Sequence, residues 1–340
     1  MAPTPVNIFA LGGTIAMAPS TPGRKPAKGA TRPPRGAVSP KLTARALVAA
    51  VPGLARIARV KTMDFRRLPG AHLGDNDLVE LARAIIAGRH PAVVVQGTDT
   101  IEETAFALDL LVGAKVPVVV TGAMRHPAMA GADGPANLLA AVITVTSPKA
   151  DGLGTLVVMG DRIHAASLAR KTHTTAPDAF TSPGAGPIGY VAENEAHILL
   201  YPAANTAIAP VARPKETRPV VIIASHLGDT GAALTAAAEQ DIGGAVIAAL
   251  GAGHLSPAAS TAAEYLTRRV PVVLSSRVAA GPVLSRTYGF TGSEADLAAR
   301  GLIRSGWLDP AKARILLALA RRAGFDRRRI RAAFAAFGGG

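Results

Sequence analysis

Four short aliphatic runs, each halted near a glycine, constrain the fold of this chain more than any other feature. Val6-Asn7-Ile8-Phe9-Ala10-Leu11 ends at Gly12-Gly13, and Ala92-Val93-Val94-Val95 ends at Gly97. Pro117-Val118-Val119-Val120 ends at Gly122, and Thr155-Leu156-Val157-Val158-Met159 ends at Gly160. A strand with one wet face alternates apolar and polar residues. Runs that do not alternate belong to strands covered on both faces, the usual state of a parallel sheet. Helical spacing fills the intervals: Leu78, Leu81, Ala82 and Ile85 predict a helix over 76–87, and Ala105, Leu108, Leu111 and Val112 one over 101–112. Thr100, with Glu103 three residues on, predicts a capping box at the start of the second helix. Strand and helix in alternation predict an α/β fold with a doubly wound, mainly parallel sheet.

The pattern resumes after a basic stretch carrying Pro210, Pro214 and Pro219. Runs at 220–224, 245–250 and 270–274 read as strands of a second, smaller α/β domain, and 310–337 reads as helical. The expected division is a catalytic domain over 1–206, a linker over 207–219 and a C-terminal domain over 220–340. A length of 340 residues suits two cores better than one. Residues 18–40, rich in Pro, Gly and Arg, follow Gly12-Gly13-Thr14 directly and read either as a lid or as a surface insertion.

In an open parallel sheet, ligands sit beyond the carboxyl ends of the strands. Here the segments leaving those ends are rich in glycine and hydroxyls: Gly12-Gly13-Thr14, Gly97-Thr98-Asp99-Thr100, Thr121-Gly122-Ala123-Met124-Arg125, and 160–175 with Asp161, Arg162, Lys171, Thr172, Thr174 and Thr175. A threonine hydroxyl is a weak nucleophile until a base takes its proton. A lysine becomes such a base when burial disfavours its charged form, and an aspartate can orient it. Thr98, Lys171 and Asp99 thus make a candidate proton relay, with glycine-rich N–H groups to hold an oxyanion. The set fits acyl transfer from a small amide. Taken singly, each piece also reads as a turn, a helix cap or a surface lysine, and Asp133-Gly134-Pro135 as a plain turn; the combination carries the chemistry.

Other classes are excluded or disfavoured. The chain has no cysteine, which removes disulfides, thiolate nucleophiles and Cys-ligated metals. Its eight histidines form no H-x-x-x-H or H-E-x-x-H pair, so no metal is expected. Dinucleotide and phosphate-loop glycine spacings are missing. The net charge of +14 is spread over short groups that belong to no nucleic-acid module, and no nucleic-acid partner is expected. No apolar run reaches membrane-spanning length, and no secretory leader is read, so a soluble cytoplasmic protein is expected.

Read in order, these segments resemble the bacterial-type L-asparaginase family. The resemblance is carried by Leu11-Gly12-Gly13-Thr14-Ile15-Ala16, by Gln96-Gly97-Thr98-Asp99-Thr100-Ile101-Glu102-Glu103-Thr104, and by Val120-Thr121-Gly122-Ala123-Met124-Arg125 followed by Ala132-Asp133-Gly134-Pro135-Ala136-Asn137-Leu138. It continues through Ala169-Arg170-Lys171-Thr172-His173-Thr174-Thr175, Gly186-Pro187-Ile188-Gly189-Tyr190, Gly251-Ala252-Gly253-His254 and Gly306-Trp307-Leu308-Asp309-Pro310-Ala311-Lys312-Ala313-Arg314. It implies hydrolysis of asparagine to aspartate and ammonia, with no metal or organic cofactor, in a homodimer or homotetramer. It implies Thr14 as primary nucleophile, and Thr98, Asp99 and Lys171 as the second group. Asp99 would also bind the substrate α-amino group, and Glu294 would complete a neighbouring subunit's site. Two positions depart from the pattern. The family's lid tyrosine has no counterpart, since no tyrosine precedes Tyr190. Gly70, in Leu68-Pro69-Gly70-Ala71-His72-Leu73, stands where relatives place a carboxylate-binding serine. Backbone N–H groups of Gly70 and Ala71, His72 or an arginine of the lid would take its place. These departures leave glutamine, a substituted asparagine, or simple amino-acid binding as alternative readings.

Overall fold

The computed structural model describes residues 3–19, 38–40, 42–202, 208–211 and 213–340. They form two compact units, 1–204 and 205–340. In the first unit the strands are β1 (Thr4–Ala10), β2 (Met17–Pro19), β3 (Val38–Pro40), β4 (Ala58–Asp64), β5 (Ala92–Val95), β6 (Val118–Thr121), β7 (Thr155–Met159), β8 (Arg162–Ala165), β9 (Arg170–Lys171), β10 (Phe180–Thr181), β11 (Gly189–Ala192) and β12 (Glu195–Ile198). Its helices are α1 (Ala44–Ala49), α2 (Leu54–Ile57), α3 (Asp75–Gly88), α4 (Ile101–Val112) and α5 (Gly134–Thr146).

The large sheet runs β12-β11-β8-β7-β6-β5-β1-β4. The five strands from β4 to β7 are parallel, as the aliphatic runs predict, and β5, β6 and β7 are buried along their whole length. The other end of the sheet is an antiparallel extension that the sequence reading does not contain. Gly160 and Asp161, both with positive φ, make the tight turn that sends the chain back along β8. Region 160–175 is therefore a hairpin and a further ribbon, not a simple strand-end loop. The edge strand β4 (Ala58-Arg59-Val60-Lys61-Thr62-Met63-Asp64) is polar and gave no aliphatic signal. Residues 20–37 of the lid expectation lie outside the described residues; β2 and β3, which flank them, pair antiparallel.

Side-chain alternation splits the core into two layers. Val6, Ile8, Val93, Val95, Val119, Leu156 and Val158 pack in one cluster with Leu47 of α1, Leu54 of α2 and Leu138, Ala141, Val142 and Val145 of α5. Val94, Val120 and Val157 face the other way, where α4 lies against β6 and β7 and α3 against α4. The steps β5-α4-β6 and β6-α5-β7 run the same way along the sheet, yet their helices lie on opposite faces. The two crossovers thus have opposite hand, and one of them departs from the right-handed rule.

In the second unit, β13 (Val220–Ala224), β14 (Gly244–Ala249), β15 (Val272–Ser276) and β16 (Ile303–Arg304) form a parallel sheet in that order. Helices α6 (Ala232–Ala238), α7 (Pro257–Thr267) and α8 (Glu294–Ala299) precede α9 (Pro310–Arg322) and α10 (Arg327–Ala335). Leu234 and Leu266 pack with Ile247 and Leu274 on one face, while α9 covers the strands on the other. The helix expected over 310–337 is two helices, because Gly324 takes φ +75° and Asp326 caps the second. Several arginines close helix ends. Arg269 donates to Ala238 O, the last residue of α6, at 2.8 Å; Arg327 donates to Thr267 O, the last of α7; Arg331 donates to Gly301 O, just past α8, at 3.0 Å.

His164 on β8 is fully buried, its Nδ1 lying 2.8 Å from Ser182 Oγ. Burial, with Arg162 nearby, lowers its pKa from 6.5 to about 4. A lowered folded-state pKa means the unfolded chain binds the proton first. The contribution is complete above about pH 6.5 and is lost as pH falls toward about 4. The thermal midpoint of the wild type should fall across that interval, and the fall should be smaller in His164→Gln, as measured by calorimetry at stepped pH.

Candidate active site

The strand order fixes where the site lies. From β1 the chain steps to β4 on one side, and β5 returns on the other side of β1. That reversal opens a crevice beyond the carboxyl ends of β1 and β5. The loops leaving those two strands carry Thr14 and Thr98. They touch through their glycines: a Cβ built on Gly13 would lie 2.0 Å from Gly97 N and 2.1 Å from Gly97 Cα. Gly13 also sits at φ +84°. A third loop joins them, since a Cβ on Gly97 would lie 3.1 Å from Gly70 N. Thr14 begins a 3-10 turn, Thr14–Ala16, and Thr98 begins another, Thr98–Thr100. The residues that follow two touching glycines are thus both presented at the start of a helical turn. Among the described residues the N–H groups of Thr14, Thr98 and Asp99 donate to no backbone or side-chain acceptor, which leaves them for an oxyanion.

Thr98 is 5% exposed, and its Oγ1 accepts a hydrogen bond of 2.9 Å from Lys171 Nζ. Asp99 Oδ1 lies 3.5 Å from the same Nζ. The Lys171 side chain is 18% exposed and that of Asp99 62%, so the amine is sheltered while the carboxylate faces an open cleft lined by Asp99, Lys171, Thr172, His173 and Thr174. The main-chain N–H of Lys171 donates to Glu102 in the first turn of α4. Thr98, Asp99 and Lys171, the three residues expected to act together, are therefore in mutual contact within the first unit. The Thr14 hydroxyl has no hydrogen-bond partner among the described residues.

Gly70 is buried at the start of a 3-10 turn, Gly70–His72, and Ala71 is exposed. A Cβ on Gly70 would come within 3.2 Å of both Gly97 O and Thr100 Oγ1, and 3.5 Å from Asp99 Cβ. A side chain at 70 would press on the Gly97–Thr100 loop. Thr100 does not form the capping box expected of it: its side chain makes no cap bond. Its hydroxyl instead donates to Gly70 O at 3.1 Å and lies 3.3 Å from Gln96 Nε2, tying the loop after β5 to the Gly70 turn. Asp133 is likewise no plain turn residue. Its carboxylate accepts the N–H groups of Met124 and Arg125, both at 2.9 Å. Asn137 donates to Gly122 O and to Asp133. Together they clamp the loop after β6. The spacing of Asp133 and Asn137, four apart at a helix start, is the signal that reveals the clamp.

Glu294 lies in the second unit, in the first turn of α8, and is fully buried. Its Oε1 accepts the N–H groups of Thr287 and Tyr288, both at 2.9 Å. Oε2 lies 3.3 Å from His254 Nε2. Burial alone raises the pKa of Glu294, but those N–H groups outweigh it, with His254 adding to them, and the pKa is lowered. The carboxylate thus holds the 287–288 turn of its own unit. Among the described residues no cluster of three or more metal-ligating side chains occurs.

Two family models cover the chain. The model for the N-terminal part of asparaginase matches residues 5–204, and that for the glutaminase/asparaginase C-terminal domain matches 219–334. The chain belongs to the asparaginase family. Over 327 residues it is 39% identical to a probable L-asparaginase of Deinococcus radiodurans, spanning 95% of this chain and 94% of that one. It is 34% identical to L-asparaginase 2 of Bacillus subtilis, spanning 97% and 85%. The crystal structure of a probable cytoplasmic L-asparaginase from Campylobacter jejuni, 30% identical, matches with a TM-score of 0.82 over 98% of this chain and 99% of that one. This asparaginase-family chain therefore combines the family's two-part order with the Thr98–Lys171 contact.

The glycine junction gives a matched test. Gly13 and Gly53 have nearly equal φ, +84° and +81°, but a Cβ on Gly53 would meet nothing within 4 Å. Gly53→Ala should cost about 1 kcal/mol, the backbone penalty alone. Gly13→Ala should cost upward of about 3 kcal/mol, because backbone must move. Urea unfolding of the two variants measures the difference.

Proposed function

We propose that this protein hydrolyses L-asparagine to L-aspartate and ammonia, with Thr14 as nucleophile and Thr98, Lys171 and Asp99 as the group that moves protons. The hydrogen bond from Lys171 Nζ to Thr98 Oγ1 carries the reading, because it links a sheltered amine to a hydroxyl in the crevice of the switch point. The names of the relatives support the substrate class. As the Thr14 oxygen attacks the side-chain carbonyl carbon, its proton passes to the Thr98–Lys171 group, and the carbon–oxygen bond forms as the carbonyl becomes an oxyanion. N–H groups at the Gly13–Gly97 junction receive that charge. Collapse expels ammonia, which takes a proton relayed along Thr98 and Lys171, and leaves an ester on Thr14. Water activated by the same group then cleaves the ester and releases aspartate.

Substrate binding falls to Asp99 for the α-amino group and to the Gly70-Ala71 backbone for the α-carboxylate. Neither Gly70 nor Ala71 uses its N–H elsewhere among the described residues. Glu294 is assigned to the site of a neighbouring subunit in a homodimer or homotetramer. The lack of a side chain at Gly70 favours a second reading, an amidase for glutamine or a substituted asparagine, since a backbone-only carboxylate site constrains the substrate less than a hydroxyl does. The Thr14 hydroxyl, without a hydrogen-bond partner among the described residues, favours a third, a weakly catalytic protein that binds amino acids.

Ammonia release by the purified protein separates these readings. The expected result is turnover of asparagine exceeding that of glutamine, with kcat reduced by more than about 10³-fold in Thr14→Ala and by about 10²-fold or more in Lys171→Ala. Full turnover in either variant sinks the mechanism. Asparagine binding without ammonia supports the binding protein.

A further inference from the structure

One carboxylate beside the relay has no part in the chemistry above. Strands β9 and β10 form a ribbon of two strands, in which Thr172 N–H donates to Ala179 O. In an antiparallel pair the bonded positions alternate, so the adjacent pair, Lys171 opposite Phe180, turns its main-chain groups away from the partner strand. The N–H of Lys171 therefore lies on the outer edge of the ribbon, where it needs another acceptor. Glu102 Oε2 takes it at 2.5 Å. Glu102 belongs to the first turn of α4, where a negative charge suits the helix dipole, and the Thr98–Thr100 turn runs straight into that helix. One short stretch, 98–102, thus grips Lys171 at both ends: Thr98 Oγ1 at 2.9 Å and Asp99 Oδ1 at 3.5 Å hold Nζ, and Glu102 holds the main chain.

We propose that Glu102 is a positioning residue of the relay: by holding the root of Lys171 it keeps Nζ on Thr98 Oγ1. The inference rests on the reading of Thr98 and Lys171 as the proton-moving pair. A lysine stem has four rotatable bonds, and fixing its root removes the freedom that would let Nζ drift; displacement of a reacting group by about 1 Å can cost up to about 10²-fold in rate.

Glu102→Ala, Glu102→Gln and Glu102→Asp in the full-length protein test it. Alanine removes the acceptor, glutamine keeps an oxygen at the same reach, and aspartate draws it back by one methylene. The expected result is a kcat for asparagine about tenfold or more lower in Glu102→Ala with KM within about twofold, rescue by Gln to at least about half the wild-type kcat, and an intermediate loss for Asp. Hydrogen exchange at the Lys171 amide, followed on peptides spanning 168–173, should speed up in Ala and stay slow in Gln. Exchange does not depend on turnover, so a wild type that releases no ammonia overturns the functional reading without touching the contact. If Ala keeps a kcat within about twofold of wild type, leaves exchange unchanged, or matches Gln in impairment, Glu102 does not position the lysine. Should Ala fail to fold, Gln against Asp gives the same decision.

Discussion

At Gly13 there is no room for a single carbon: a Cβ would fall far inside van der Waals contact with a neighbouring backbone, 2.0 Å from Gly97 N. That contact lets the loops after β1 and β5 meet, so that the residues following each glycine, Thr14 and Thr98, stand in one crevice. Gly70 closes the third side, again because no side chain intervenes between it and Gly97. Thr100 then bonds Gly70 O, and the Thr98–Thr100 turn leads into α4, whose first turn reaches Lys171. The crevice depends on backbones that approach more closely than any alanine would allow.

Much of this was legible in the amino-acid order because the physics was local. Strands β5, β6 and β7 are buried on both faces, so nearly every residue is apolar, with only Thr121 and Thr155 at strand ends as exceptions, and the run announced itself. The polar β4 and the antiparallel β11 and β12 left no such trace, since an edge or half-exposed strand tolerates charge, and β8 is only four residues long with a buried histidine among them. That Thr98, Asp99 and Lys171 would meet was legible through chemistry and family resemblance together. Glu102 stands in the sequence as one letter of a motif; it accepts a main-chain N–H from a strand far along the sequence, which no spacing rule exposes. Thr100 shows the converse: its spacing to Glu103 fits a capping box, but its hydroxyl donates to a carbonyl of another loop and accepts from Gln96 Nε2 instead.

The strong positive charge also resolves into structure. Arg269, Arg327 and Arg331 spend donors on the carbonyl ends of helices in the second unit. Glu216 accepts Arg218 and Arg321, and the bond from Arg218 lowers its pKa to about 2. Composition alone pointed to an anionic partner as a question; the geometry gives many of these guanidinium groups an internal use.

Whether the crevice at the glycine junction receives the amino acid is decided by a crystal structure with L-aspartate bound. The expected density has the side-chain carboxylate between Thr14 and Thr98, the α-amino group on Asp99, and the α-carboxylate on the Gly70 and Ala71 N–H groups. Aspartate seated elsewhere, or in the crevice with its α-carboxylate turned away from Gly70 and Ala71, contradicts it.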